Sequence, residues 1–253
     1  MSLEKIFLGK ADFIVTVSEP LLEKLQTRHK TKHCILIENG FDADEHPNFK
    51  NNFSKLKSIN KKKVNFVYTG LLSNHRNPEV FIKYIIYFVE NYYINPSQIA
   101  VDFYGSNSEI VDNILKLYDE KFREIFRTHE QIPREKILKI QRSADYLLLF
   151  ESSSIKNQGN LTGKIFEYMV TGNPIIAFGT SSNHSISKTL KHTGTGVGLD
   201  NEDDNKIKQC LHEILVEQTN NFYSPNIEHI LYYSISRQIK RLLEITSPSN
   251  RKA

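Results

Sequence analysis

The chain has 253 residues, of which 39% are hydrophobic and 25% are charged, and its net charge is +4. These proportions are typical of a globular protein, and the charge bias is too weak for a dedicated nucleic-acid-binding protein. No apolar run reaches the roughly 18 residues that a membrane-spanning helix needs, and the isolated Cys34 and Cys210 argue against a disulfide framework and fit a reducing cytoplasm.

Strand-like and helix-like segments then alternate along the chain. The strand-like segments are short, apolar and without polar alternation; they cover residues 11–18, 33–38, 64–68, 99–104, 122–128, 145–150, 175–178 and 195–199. The helical segments have apolar residues at a 3.6-residue period; they cover residues 78–91, 108–118, 133–143, 186–192, 205–216 and 227–245, with a further short helix inside 159–178. This pattern predicts an α/β fold with a Rossmann-like, doubly wound parallel sheet that is covered on both faces. Residues 42–63 lack apolar periodicity and are predicted to form a linker.

A parallel sheet of this kind places its ligand crevice at the carboxyl ends of the strands. The loops at those ends are residues 70–76, 105–107, 129–132, 151–162 and 179–183. The sequence contains neither a GxGxxG motif nor a P-loop, so the usual dinucleotide and NTPase signatures are absent. No HExxH or CxxC spacing predicts a metal site either. Among the histidines, His129 lies at the end of a predicted strand, and we interpret it as an exposed polar residue, with contact to a ligand as the alternative.

The most informative segment is 159–178, which reads as a loop, a short helix, a Gly-Asn-Pro turn and a buried strand. Lys164 and Glu167 share the polar face of that helix, one turn apart and near its N-terminus. The unpaired N–H groups and partial positive charge of a helix start suit a phosphate, and a carboxylate can accept hydrogen bonds from sugar hydroxyls. The alternative from the residues alone is a surface ion pair that contributes a few tenths of a kcal/mol.

Several patterns occur in an order that carries a family resemblance. They are residues 11–18, Asn39–Gly40–Phe41–Asp42, Phe66–Val67–Tyr68–Thr69–Gly70–Leu71, Phe103–Tyr104–Gly105, Ala144–Asp145–Tyr146–Leu147–Leu148–Leu149, Lys164–Ile165–Phe166–Glu167–Tyr168 and Gly172–Asn173–Pro174–Ile175. The ordered set, from about residue 11 to about residue 242, resembles the GT-B glycosyltransferases, in particular the retaining family 4 group. Such enzymes consist of an acceptor-binding and a donor-binding Rossmann-like domain. The resemblance implies that residues 1–44 are a remnant of the acceptor domain with its linker. Residues 45–253 would then be the nucleotide-sugar-binding domain, with a C-terminal helix that crosses back.

The resemblance also implies roles for individual residues. Glu167 would bind the donor ribose hydroxyls, and Lys164 and Arg76 would bind the diphosphate as charge-assisted donors. Arg76 follows the Gly70 loop, although Leu71 occupies a place where the family often has Arg. Gly70 would allow close backbone approach to the ligand; as an alternative, it is a simple turn glycine.

Further donor-binding positions are expected around these residues. Thr162 and the N–H groups near Gly163 would complete the phosphate site. Gly105 and Ser106 would line the nucleotide crevice, and Ile132 would meet the edge of the base, with plain loop residues as the alternative.

The chain departs from the family pattern at an acidic pair, two Glu residues that many family members carry eight positions apart. The partner position of Glu167 is Gly159 in this chain. No catalytic residue can therefore be assigned from the resemblance, and the donor sugar remains open.

The resulting expectation is a retaining, metal-independent glycosyltransferase that uses a nucleoside-diphosphate sugar as donor and needs no other cofactor. Its acceptor would be a glycan or lipid-linked glycan in cell-surface polysaccharide biosynthesis. We expect a cytoplasmic location, at the inner face of the membrane, with peripheral membrane association of the full-length enzyme and no nucleic-acid partner. This chain alone would bind nucleotide but transfer little sugar. The alternatives are a nucleotide-sugar epimerase of GT-B shape and a non-catalytic glycosyltransferase-like scaffold.

Overall fold

The computed structural model describes residues 3–46, 48–53, 62–105, 107, 109–152, 159 and 161–247. The strands are β1 (Phe13–Thr16), β2 (His33–Leu36), β3 (Val64–Thr69), β4 (Ile99–Tyr104), β5 (Phe126–His129), β6 (Tyr146–Phe150), β7 (Ile175–Phe178) and β8 (Gly196–Leu199). The α-helices are α1 (Leu3–Leu8), α2 (Glu19–Arg28), α3 (Phe49–Asn52), α4 (Glu79–Asn91), α5 (Glu109–Leu115), α6 (Arg134–Ser143), α7 (Gly163–Met169), α8 (Ser185–Thr193), α9 (Asp204–Leu215), α10 (Ile227–Tyr232) and α11 (Ile235–Thr246). Two 3₁₀ helices cover Pro96–Gln98 and Glu120–Glu124.

Six of these strands form one parallel sheet in the order β5-β4-β3-β6-β7-β8. The chain builds outward from β3 through β4 to β5, and then returns to β6 on the other side of β3. The order therefore reverses between β3 and β6, and such a switch point opens a crevice at the carboxyl ends of the strands. The predicted doubly wound parallel sheet is confirmed.

Apolar side chains alternate between two cores because successive strand residues point to opposite faces of the sheet. On one face, Phe66 and Leu148 pack with α4, α5 and α9. On the other face, Val67 and Leu147 pack with α6, α7, α8 and α10. Every residue of β6 and β7 is buried, which explains why these strands have no polar alternation.

The N-terminal part forms a separate, two-stranded parallel sheet from β1 and β2. After β2 the chain returns to the C-terminal helices. The N–H of Phe41 donates to the carbonyl of Tyr233 at 3.1 Å, and the N–H of Ile235 donates to the carbonyl of Phe41 at 2.9 Å. This contact explains why the predicted helix over 227–245 is two helices: the peptide groups of the α10–α11 junction bond to Phe41 instead of continuing one helix.

Two further differences from the sequence-based elements are local. The predicted strand 122–128 is a 3₁₀ helix followed by β5, because the side chain of Asp119 accepts from the N–H of Lys121 and starts a helical turn. The segment predicted as a linker contains α3, where the buried ring of Phe49 packs edge-on against Phe41 at a centroid distance of 5.3 Å. Among the described residues, none of the helices combines the length and the apolar character that crossing a bilayer requires.

Candidate nucleotide-binding cleft

A cleft of about 360 Å³ opens at the carboxyl end of β3, beside the switch point of the sheet. Its lining comes from four loops or helices that are far apart in sequence: Thr69, Gly70, Leu71, Tyr104, Gly105, Gln131, Ile132, Arg134, Ile137, Lys164 and Glu167. Five of the predicted donor-binding residues are therefore brought together in one cleft: Gly70, Gly105, Ile132, Lys164 and Glu167.

Two glycines form the floor where β3 and β4 end. Gly70 and Gly105 have φ angles of +143° and +141°, which L-residues with side chains rarely adopt. The Gly70 N–H donates to the carbonyl of Tyr104 at 2.7 Å, so the two loops are in direct contact. A Cβ on Gly105 would collide with the carbonyl of Gly70, and a Cβ on Gly70 would collide with the Lys164 side chain. Gly105 is restricted by the close backbone of Gly70 as well as by its conformation, whereas Gly70 is restricted by its conformation, since the end of the Lys164 side chain can move.

Helix α7 presents its two charged residues to this floor because its other side is buried. Ile165 and Phe166 are at most 1% exposed, whereas Lys164 and Glu167 are half-buried. The ammonium of Lys164 donates to the carbonyl of Thr69 and lies 5.4 Å from the ring centroid of Tyr68. Burial lowers the pKa of Lys164, while the nearby Glu167 and Glu151 carboxylates oppose that shift.

The carboxylate of Glu167 is held from behind by a buried polar network. Gln141 of α6 is fully buried; its Nε2 donates to Glu167 Oε1 at 2.5 Å and to Thr69 Oγ1 at 3.0 Å. The hydroxyl of Tyr168, also buried, accepts from the Thr69 N–H at 2.9 Å. One amide group thus connects the end of β3 to the acidic residue of α7 and fixes the orientation of its carboxylate.

A second carboxylate lies at the carboxyl end of β6. The Oε1 of Glu151 is 3.7 Å from Nε of Arg76, and only 9% of the Glu151 side chain is exposed against 43% for Arg76. Burial raises the pKa of Glu151, and the charges of Arg76 and Lys164 oppose this shift. Arg76 therefore lies beside the cleft, paired with a carboxylate that also interacts with Lys164.

The opposite wall combines an aromatic ring with aliphatic side chains. Tyr104 stacks on His129 with a centroid distance of 4.2 Å and an interplanar angle of 8°. His129 Nε2 lies 2.7 Å from Oδ1 of Asp102, which also accepts two hydrogen bonds from Arg127. His129 is therefore partly exposed, and the carboxylate of Asp102 and the ring of Tyr104 hold it in place beside the cleft wall. Tyr104, Ile132 and Ile137 line this side of the cleft with aromatic and aliphatic side chains, which pack well against a flat ring.

The remaining predicted positions have other placements. Thr162 and Gly163 start α7 without being part of the cleft lining. Ser106 lies outside the described residues. At Gly159, a Cβ would come within 2.7 Å of Pro20 Cγ, so the backbone is closely covered by the N-terminal unit.

Gln141, Glu151 and Tyr104 were not predicted as site residues. Gln141 meets its partners over 26 and 72 positions of sequence, and no motif marks it. Glu151 and Tyr104 do carry a usable signal, since both lie at the carboxyl end of a predicted strand. Among the described residues there is no group of three His, Cys, Asp or Glu side chains that could hold a metal ion.

No protein-family model and no curated protein sequence matches the chain. Solved structures do match. Sucrose-phosphate synthase from Thermosynechococcus elongatus superposes with a TM-score of 0.61 at 14% identity, covering 96% of this chain and 59% of that one. An α,α-trehalose-phosphate synthase (UDP-forming) from Burkholderia xenovorans gives 0.65 at 9% identity, with 92% and 60% coverage. The lipopolysaccharide outer core galactosyltransferase WaaB gives 0.63 at 13% identity, with 95% and 63% coverage.

These neighbours are GT-B glycosyltransferases, so the chain has a glycosyltransferase-like α/β fold. It spans about three fifths of the length of each of these structures. Likeness at this level of identity shows the fold, and function has to be argued from the site.

Proposed function

We propose that the chain is the donor-binding part of a glycosyltransferase that takes a sugar from a nucleoside-diphosphate sugar. The observation that supports this proposal most directly is the convergence of Lys164 and Glu167 with the Gly70 loop in one cleft at the switch point of the sheet. Residues 45–253 would form the donor domain, and residues 1–44 the remnant of an acceptor domain.

The diphosphate is assigned to the cationic side of the cleft. Lys164 is half-buried and Arg76 lies next to it, and charge-assisted hydrogen bonds to phosphate are stronger in a partly desolvated site. Gly70 carries no side chain, which leaves room for the Lys164 ammonium to lie against the end of β3. As the sugar leaves, negative charge develops on the diphosphate, and these donors would stabilise it by a few kcal/mol.

The ribose is assigned to Glu167. Its carboxylate can accept hydrogen bonds from two neighbouring hydroxyls, and the bond from Gln141 already holds it in one orientation. Tyr104, Ile132 and Ile137 would contact the base. By resemblance, transfer would proceed with retention and without a metal, to a glycan or lipid-linked acceptor in cell-surface polysaccharide synthesis. The enzyme would act at the inner face of the membrane, and the isolated chain would transfer little sugar.

The proposal is tested by calorimetric titration of the chain with UDP, GDP, ADP, CDP and dTDP, each at millimolar concentration. We expect at least one diphosphate to bind and its uncharged nucleoside to bind much more weakly. Lys164→Met should weaken the best diphosphate about tenfold or more, because one charge-assisted contact is lost. Lys188→Met removes an equally long cation from an exposed position on α8 and should leave the affinity unchanged. Absence of heat with every diphosphate, or equal losses in the two variants, would contradict the proposal.

The scaffold alternative is favoured by one observation, the covered Gly159. A glutamate at this position would have to displace Pro20, so the usual second acidic side chain has no room here. In the full-length parent protein, Lys164→Ala and Glu167→Ala separate the two functions: glycan output that is unchanged in both variants would favour the scaffold, whereas its loss would favour the transferase.

A further inference from the structure

Glu151 has an unusual position for a carboxylate in a site that is proposed to bind an anion. It directly follows β6, which lies beside β3 at the switch point of the sheet. Its side chain is 9% exposed, and its Oε1 lies 3.7 Å from Nε of Arg76. It also interacts electrostatically with Lys164. The carboxylate thus faces both cations that are assigned to the diphosphate.

A fixed negative charge here affects a free nucleoside diphosphate and its sugar ester to different degrees. The terminal phosphate of a free nucleoside diphosphate gains a second negative charge above about pH 6. When this phosphate is esterified to a sugar, it carries only one negative charge. A nearby carboxylate in a poorly hydrated site therefore repels the free diphosphate more strongly than the ester.

We propose that Glu151 is an internal counter-ion that sets the preference of the cleft for esterified over free nucleoside diphosphates. In the empty cleft it pairs with Arg76 and offsets part of the positive charge that Arg76 and Lys164 place there. In the occupied cleft it disfavours the extra charge of the diphosphate left after transfer, and so promotes its release. This inference rests on the proposed function, since it assigns the terminal phosphate to Arg76 and Lys164. Burial raises the pKa of Glu151, in agreement with a carboxylate that depends on those two cations for its charge.

The test compares a nucleoside diphosphate with its β-methyl ester, which has the lower charge without requiring the correct sugar. Both compounds carry the base whose diphosphate binds most tightly among the five nucleoside diphosphates titrated above. At pH 7.5 and constant ionic strength, the wild-type chain should bind the methyl ester at least as tightly as the free diphosphate. A cationic site without a counter-ion would prefer the ligand with the higher charge.

Glu151→Gln removes the charge and keeps the shape. We expect the ratio of diphosphate to ester affinity to rise at least about tenfold, which is a lower bound for one additional unit charge a few ångströms away at an effective dielectric constant of about 20. Glu151→Asp keeps the charge and should keep a ratio close to that of the wild type. Glu90→Gln makes the same change at an exposed position in the last turn of α4 and should leave both affinities unaltered.

The outcomes separate this inference from the proposed function. If no diphosphate binds to the wild-type chain, the proposed function fails. If the diphosphate binds but Glu151→Gln weakens both ligands equally, Glu151 only positions Arg76 and the counter-ion role is overturned. Should Glu151→Gln fail to fold, as judged by circular dichroism, a clear preference of the wild-type chain for the free diphosphate would overturn the inference by itself.

Discussion

Two clefts of similar size among the described residues differ in how their charged groups are held. The second cleft, of about 420 Å³, lies between the N-terminal strands and the α8 and α10 side of the main sheet. It is lined by Val17, Ser18, Glu19, Leu36, Glu38, Leu161, Ser185, Lys188, Thr189, His192, Tyr232 and Tyr233. Its ion pair, Glu19 with Lys188, spans 3.8 Å, and both side chains are more than half exposed. Exposed pairs of this kind contribute little to structure or affinity.

In the smaller cleft, by contrast, Lys164 and Glu167 are tied to buried partners, while the exposed Arg134 pairs with Glu45 at its edge. Glu167 is bonded to Gln141, which is 0% exposed, and Lys164 is bonded to the end of β3. Such groups are held before a ligand arrives, so less conformational entropy is lost on binding. Size alone would favour the second cleft as the ligand-binding site. Preorganisation and position at the switch point favour the first.

The comparison is tested most severely by removing one carboxylate from each cleft. Glu167→Ala should weaken the best ribonucleoside diphosphate about 10- to 100-fold, because a charged hydrogen-bonding group contributes about 1.5–3 kcal/mol. The variant should also lose the preference for the ribonucleotide over its 2′-deoxy form. Both quantities come from calorimetric titration. Glu38→Ala, the corresponding change in the second cleft, should alter neither; an equal loss in Glu38→Ala would show that the two clefts had been assigned the wrong way round.

Two glycine substitutions sharpen the comparison within the smaller cleft. Gly70→Ala should destabilise the fold by about 2 kcal/mol, because φ is +143°, a conformation that alanine rarely adopts, and the end of the Lys164 side chain would have to move. Gly163→Ala should be neutral or stabilising by up to about 1 kcal/mol, since nothing lies within 4 Å of the added Cβ and alanine favours the helix. Urea unfolding measures both changes. Equal destabilisation in the two variants would mean that the backbone conformation of Gly70 is not what restricts that position.

Removing the buried amide of Gln141 should have a smaller effect on stability and affinity. Gln141→Met keeps the volume but removes the donor to Glu167 Oε1 and Thr69 Oγ1, and we expect a loss of about 1–2 kcal/mol in the free energy of unfolding. Nucleotide affinity should fall several-fold, because the carboxylate is no longer held in one orientation. Gln209→Met, at an exposed position on α9, should change neither quantity. An unchanged affinity in Gln141→Met would show that Glu167 does not depend on this support.

The positions of the main loops and charged residues of the smaller cleft could be predicted from the sequence. Apolar strands that end in Thr69–Gly70 and Tyr104–Gly105 fix where the loops meet, and the spacing of Lys164 and Glu167 places both on the polar face of one helix. The structure confirms the parallel sheet and brings these residues together. Their role in binding a donor stays a prediction.

The supporting residues could not be predicted because their function depends on contacts that no local pattern encodes. Gln141 lies on a helix with ordinary amphipathic spacing, and only the packing of α6 beside α7 shows that its amide reaches Glu167. The break between α10 and α11 has a similar cause. Apolar spacing continues through residues 227–245, but the junction peptide groups bond to Phe41, nearly 200 positions earlier in the chain.

The smallest predicted effect belongs to the second cleft. Burial raises the pKa of Glu38 above its ordinary value of 4.5, while the charge of Arg241 opposes the shift. The native state therefore binds this proton more tightly than the unfolded chain, and stability from this group is present below pH 4.5 and is lost as the pH rises through the raised pKa. Glu38→Gln removes that penalty, so at pH 7 it should stabilise the fold by about 0.5 kcal/mol and flatten the acid limb of the stability profile. Urea unfolding between pH 4 and pH 8 measures this. A variant that is less stable than the wild type at pH 7 would mean that the Glu38 carboxylate supports the second cleft through its contacts, and that this cleft too is organised around a charge.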